Sequence, residues 1–187
     1  MSKIDWILEQ HKSTNHMYDT YLPYEFHLRM VNNVGQQFKH LLDDKKDYLT
    51  GNPNNKDGYV TLRESCLIAT WGHDLIEDTR VSYNDVKYWL GQEAADIIYA
   101  VSNEKGKSRK ERANDKYYEG IRNTQGAVFV KLCDRIANLQ YSKMTGSHMF
   151  EMYKKENDEF IVQLGYDDTN THPYFEMFSY LVNLLNK

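Results

Sequence analysis

An all-α fold, a compact bundle of about eight or more helices, is what the sequence predicts. Apolar residues recur at helical spacing in each apolar segment. The three prolines, Pro23, Pro53 and Pro173, sit at loops or helix starts, and no pair of segments alternates as a strand hairpin would. Ile4, Trp6, Ile7 and Leu8 open a short helix, followed by a polar stretch from Ser13 to Leu22. From Tyr24 to Leu42, Phe26, Met30, Val31, Val34, Phe38, Leu41 and Leu42 trace one amphipathic face. Asp43 to Gly58 is dense in Gly, Asn, Asp and Lys and reads as an exposed loop.

Val60 to Thr79 is the most apolar helix, with Leu62, Cys66, Ile68, Ala69 and Trp71 on its buried side. Ser82, with Asp85 three residues on, caps a helix to Leu90, and Gly91 ends it. Ala94 to Val101 is helical, Ser102 to Ser108 is a polar break, and Arg109 to Ile121 is a charged helix. Ala127 to Leu139 is apolar enough to be central. Segments of about Ser147 to Leu164 and Pro173 to Asn186 close the chain. With no internal repeat, residues 1–187 read as a single domain, and 187 residues suffice for one sizeable core.

Composition narrows the function. A net charge of −4 argues against a nucleic-acid or membrane-surface protein, so an anionic ligand needs a local cluster of cations. Two cysteines, Cys66 and Cys133, both in apolar stretches, point to a reducing compartment. No run approaches a membrane span, and the first dozen residues lack the pattern of a signal peptide, so the expectation is a cytoplasmic protein.

The chemistry concentrates in His73-Asp74-Leu75-Ile76-Glu77-Asp78. Residues three and four apart share a helix face, so one helix end gathers an imidazole and three carboxylates. Such a group is also found as a solvated acidic helix end. Two other helices shift the balance: His27 interrupts an apolar face, and Asp134 lies among apolar neighbours in VFVKLCDRIANL. An Asp in that setting is seldom left unpaired, and a divalent cation is the simplest compensation for the whole set.

The order His27…His73-Asp74…Asp134 resembles the HD-domain metal-dependent phosphohydrolases. The flanking text is similar to the hydrolase domain of the RelA/SpoT alarmone enzymes and to the small alarmone hydrolases of animals. Three stretches carry the likeness: Pro23-Tyr24-Glu25-Phe26-His27, the run from His73 to Thr79, and the run from Val130 to Leu139. The resemblance implies an HD-type bundle with His27, His73, Asp74 and Asp134 as ligands of one divalent metal ion, manganese above all. It also implies Glu77 and Asp78 as the pair acting on water. Histidine is absent between Asp74 and Ser147, unlike the two-metal members, which add histidines there.

For substrate contact the resemblance implies Tyr24 and Asn138, with Lys105 and Arg109 on basic positions of the run from Lys105 to Arg112. Lys131 shares the face of Asp134 and reads equally as a substrate contact, a partner of that Asp, or a solvated end. The implied function is removal of the 3′-pyrophosphate from ppGpp or pppGpp. Two alternatives stay open: a phosphomonoesterase acting on a 3′- or 2′-phosphate, as on an NADPH-type substrate, and a catalytically weak nucleotide-binding regulatory module. They stay open because the Arg-Lys pair that alarmone hydrolases carry about ten residues before the first metal histidine is here His16-Met17.

Overall fold

A computed structural model describes residues 1–42, 60–102, 106–167 and 170–186. The all-α expectation holds. Helix α1 (Lys3–Ser13) starts at a capping box in which Ser2 and Asp5 bond each other's backbone amides. Next come α2 (Glu25–Phe38), extended by a 3-10 turn over Lys39–Leu41, and α3 (Leu62–Gly72), which is capped by Thr61 and Glu64. Then follow α4 (Leu75–Asp78), α5 (Tyr83–Leu90), α6 (Gln92–Val101), α7 (Arg109–Arg112) and α8 (Asp115–Asn123). The chain closes with α9 (Ala127–Thr145), α10 (Met149–Gln163) and α11 (Phe175–Asn186). The Ser82–Asp85 capping box and the Gly91 terminus of α5 form as the sequence indicates. The loop expected from Asp43 to Gly58 lies outside the described residues.

Helix α9 is central. It packs against α2, α3, α6, α8, α10 and α11, and Phe129, Val130, Leu132, Cys133 and Ile136 along it are fully buried. Its entry is tight. Gly126 has φ +84, and a Cβ there would stand 2.5 Å from the Cys66 sulfur, so glycine is required on both conformational and steric grounds. Cys66 and Cys133 are both free and buried.

Three local features depart from the sequence reading. The polar stretch before α2 contains a small antiparallel hairpin, β1 (Met17–Asp19) with β2 (Leu22–Pro23), too short to show alternation. The long helix read over Val60 to Thr79 breaks after Gly72. His73 keeps helical angles, Asp74 turns to φ −101 and ψ 5, and a fresh turn starts at Leu75. Gly72 lets α3 approach α6 at that break, since a Cβ would meet Ile98 Cδ1 at 2.9 Å. The charged helix read over Arg109 to Ile121 splits where Asn114 accepts from the Tyr117 amide and caps α8.

Candidate metal centre

Three helical regions converge. The first turn of α2 supplies His27, the α3–α4 break supplies His73 and Asp74, and the middle of α9 supplies Asp134. Both imidazoles are 2% exposed. Their Nε2 atoms lie 3.2 Å apart, and Asp134 Oδ1 is 3.4 Å from His27 Nε2 and 3.7 Å from His73 Nε2. Asp74 Oδ2 is 2.9 Å from His73 Nε2 and 3.8 Å from His27 Nε2. His27, His73 and Asp134 bring ligand atoms within 4.8 Å of one another. Two ligands each about 2.1 Å from a common ion stand about 3.0 Å apart at a right angle and about 3.4 Å at a tetrahedral one. The observed separations surround that range, so the donor set fits one divalent cation. The break at Asp74 matters here, because it turns that carboxylate toward the two histidines.

Each donor is held from behind. His73 Nδ1 donates to the Thr70 carbonyl at 3.0 Å, which leaves Nε2 to face the site. The Tyr24 hydroxyl donates to Asp74 Oδ2. Lys131 Nζ donates to Asp134 Oδ2 at 3.2 Å, and Asn138 Nδ2 donates to Asp134 Oδ1 at 2.5 Å. Asn138 in turn accepts from the Tyr18 hydroxyl at 2.8 Å, while the Tyr18 ring stacks on His27 with centroids 4.7 Å apart.

Charge follows from burial and these contacts. Burial opposes ionisation of Asp74, but His73 beside it outweighs that and holds the carboxyl well below its ordinary range. Asp134 behaves alike, with Lys131 as the main compensating charge. Burial opposes the charged form of His73, yet Asp74 and Asp134 raise it to about 9. Asp78 moves the other way. Burial, then repulsion from Asp74 and Glu77, lift it to about 7.

His27, Asp74 and Asp134 line one cavity of about 570 Å³ with Glu77 and Asp78, while His73, 2% exposed, does not itself line it. Tyr24, Lys131 and Asn138, read as substrate contacts, border the same cavity, but their polar ends are engaged with Asp74 and Asp134. Lys105 lies outside the described residues. Arg109 begins α7, and its side chain lies outside them too. Sequence reasoning missed Tyr18 and Arg135, which line the cavity; Arg112, the end of the basic run read from Lys105, lines it too. Arg135 carried a signal, a guanidinium inside the apolar Val130–Leu139 run; Tyr18 carried none beyond being aromatic.

A histidine pair flanks the site. His11 Nδ1 is 3.2 Å from His16 Nδ1, and the Tyr24 ring stacks on both imidazoles. Burial is the main cause that lowers His11 to about 4. An unfolded chain takes up that proton near 6.5, so the folded state binds fewer protons between those values. This stability is therefore complete above about pH 6.5 and is lost as pH falls through about 4, in total on the order of 3 kcal/mol. Denaturant melts of EDTA-treated wild type and His11→Phe should diverge by that order between pH 7.5 and 4. A difference independent of pH would contradict it.

Among the described residues, no helix is long and apolar enough to cross a membrane. No protein-family model matches the chain. A stretch of 77 residues is 29% identical to the Drosophila melanogaster guanosine-3′,5′-bis(diphosphate) 3′-pyrophosphohydrolase MESH1, covering 41% of this chain and 43% of that protein. The Xenopus tropicalis MESH1 of the same description is 30% identical over 74 residues, covering 40% and 41%. The matched stretch thus spans less than half the length of these curated relatives. A solved structure described as a metazoan ortholog of SpoT that hydrolyzes ppGpp matches with TM-score 0.66 and 19% identity, over 97% of this chain and 92% of that one. The chain shares the helical fold of that SpoT ortholog.

Proposed function

We propose that the chain acts as a single-domain, metal-dependent phosphohydrolase that removes the 3′-pyrophosphate of a guanosine alarmone, ppGpp or pppGpp, in the cytoplasm. The observation that carries this reading is the meeting of two buried imidazoles and two carboxylates at ion-coordinating separations, beside Glu77 and Asp78 in one cavity. The activity described for the MESH1 relatives supports the substrate assignment. His27, His73, Asp74 and Asp134 would hold one ion, and their mixed imidazole and carboxylate donors suit Mn²⁺.

When bound, such a cation supplies Lewis-acid neutralisation of phosphate charge and eases deprotonation of water. The residues do the rest. Lys131 and Asn138 fix Asp134, and Tyr24 fixes Asp74, so the donors need little reorganisation. Glu77 takes or shares the proton of the attacking water, and Asp78, lifted to about 7 by burial and by repulsion from Asp74 and Glu77, orients that water or the partner carboxylate. The group transferred to water is the pyrophosphoryl unit. Its bond to the 3′ oxygen breaks, and that oxygen leaves with a proton as the 3′-hydroxyl of GDP or GTP.

A second reading keeps the chemistry and changes the substrate to a 3′- or 2′-phosphomonoester. It is favoured by the acidity of the cavity, where Glu156 and Glu159 add to Asp74, Glu77, Asp78 and Asp134. Release of phosphate and pyrophosphate from a nucleotide panel, with Mn²⁺ present, separates the two. The first predicts pyrophosphate from ppGpp; orthophosphate from monoesters, with ppGpp inert, would replace it by the second. Nucleotide binding without turnover would favour a regulatory module.

A further inference from the structure

Arg135 is 8% exposed and lines the cavity, yet neither the metal centre nor the proton-transfer pair uses it. Its guanidinium lies over two rings of α10, 4.1 Å from the Phe160 centroid and 4.7 Å from that of Tyr153. Nη1 donates to Glu156 Oε2 at 3.4 Å. Ring contact engages the π-face of a guanidinium and not its edge, where the N–H donors lie, and the Glu156 bond uses one of those five donors. The other cavity cations differ in kind. Lys131 is committed to Asp134, and Arg112 is exposed. A buried, planar cation held by two rings is preorganised, and its fork of donors matches phosphate oxygens.

We infer that Arg135 is a specificity-determining phosphate clamp, binding the 5′-diphosphate of the nucleotide while the 3′-pyrophosphate lies at the metal centre. This rests on the phosphohydrolase reading, which it deepens. In a cavity carrying six carboxylates, the phosphates that do not react need their own counter-charge. Arg135 supplies it from the α9–α10 wall, away in sequence from Glu77 and Asp78 on α4.

Two readouts test the clamp on the Mn²⁺-loaded protein, using wild type, Arg135→Lys and Arg135→Gln. The first is calorimetric binding of GDP, which needs no turnover. Loss of the fork should weaken GDP about fivefold in Arg135→Lys and more than about tenfold in Arg135→Gln. The second is steady-state kinetics on ppGpp and on guanosine 3′-diphosphate, which has a 5′-hydroxyl. KM for ppGpp should rise by a similar factor with kcat within about threefold, and the parameters for the 5′-hydroxyl substrate should hold. Melting curves identify a variant that fails to fold, in which case Arg135→Lys, which retains stem and charge, carries the test. GDP binding that is absent from wild type, or equal in the variants, overturns the clamp, as does an equal rise in KM for both substrates. If GDP binding depends on Arg135 and wild type hydrolyses neither nucleotide, the clamp stands and the proposed activity falls.

Discussion

Asp134→Ala should abolish tight metal binding and, with it, hydrolysis. Removing a partner that only orients a metal ligand typically costs about 10–100-fold in affinity or activity, so removing a ligand should cost more than about 10²-fold. The same change strands Lys131, whose partly buried ammonium is hydrogen-bonded to Asp134. A fully buried charge deprived of its partner costs on the order of 3–5 kcal/mol and a cavity-lining one less, so Asp134→Ala should also melt somewhat early. Asp134→Asn separates the two effects. Its amide oxygen still accepts from Lys131, which restores part of the stability although its NH2 replaces the oxygen that accepts from Asn138, while the lost negative charge keeps Mn²⁺ weak. Calorimetric Mn²⁺ titration with melting curves on both variants is the check. Wild-type affinity in Asp134→Asn would remove Asp134 from the ligand set.

Glu77→Gln should leave Mn²⁺ and nucleotide affinity nearly intact and lower kcat by about 10²–10⁴-fold, the usual contribution of a general acid–base group. Glutamine preserves volume and hydrogen-bonding capacity in the cavity wall but cannot take up a proton. Single-turnover rates, measured alongside equilibrium binding, distinguish this from a binding defect. An unchanged rate would transfer the proton to Asp78, whose elevation to about 7 already suits it for that work.

Helical periodicity makes most of the fold legible in the sequence. The apolar spacing through α2 and the apolar run through α9 are strong because both helices bury a continuous face. Periodicity could not reveal the break at Gly72, where apolar residues continue on both sides while the backbone turns at Asp74. It could not reveal the hairpin either, since strands of three and two residues offer too few alternations. The proposed metal ligands were legible because a His and an Asp inside apolar faces are chemically out of place. Lys131 was ambiguous for the opposite reason: lysine at a helix position is ordinarily solvated, and only the fold shows its ammonium on Asp134. Arg135 was missed because its value lies in two rings of α10 that approach it from 18 and 25 residues away.

Hydrolysis of ppGpp in ¹⁸O-enriched water with Mn²⁺, followed by mass spectrometry of both products, tests the central claim most directly. Attack of water on the phosphorus bonded to the 3′ oxygen predicts one ¹⁸O in each released pyrophosphate and none in GDP, with no reaction in EDTA. Label in the nucleotide, release of orthophosphate instead of pyrophosphate, or full turnover without a divalent cation would contradict it.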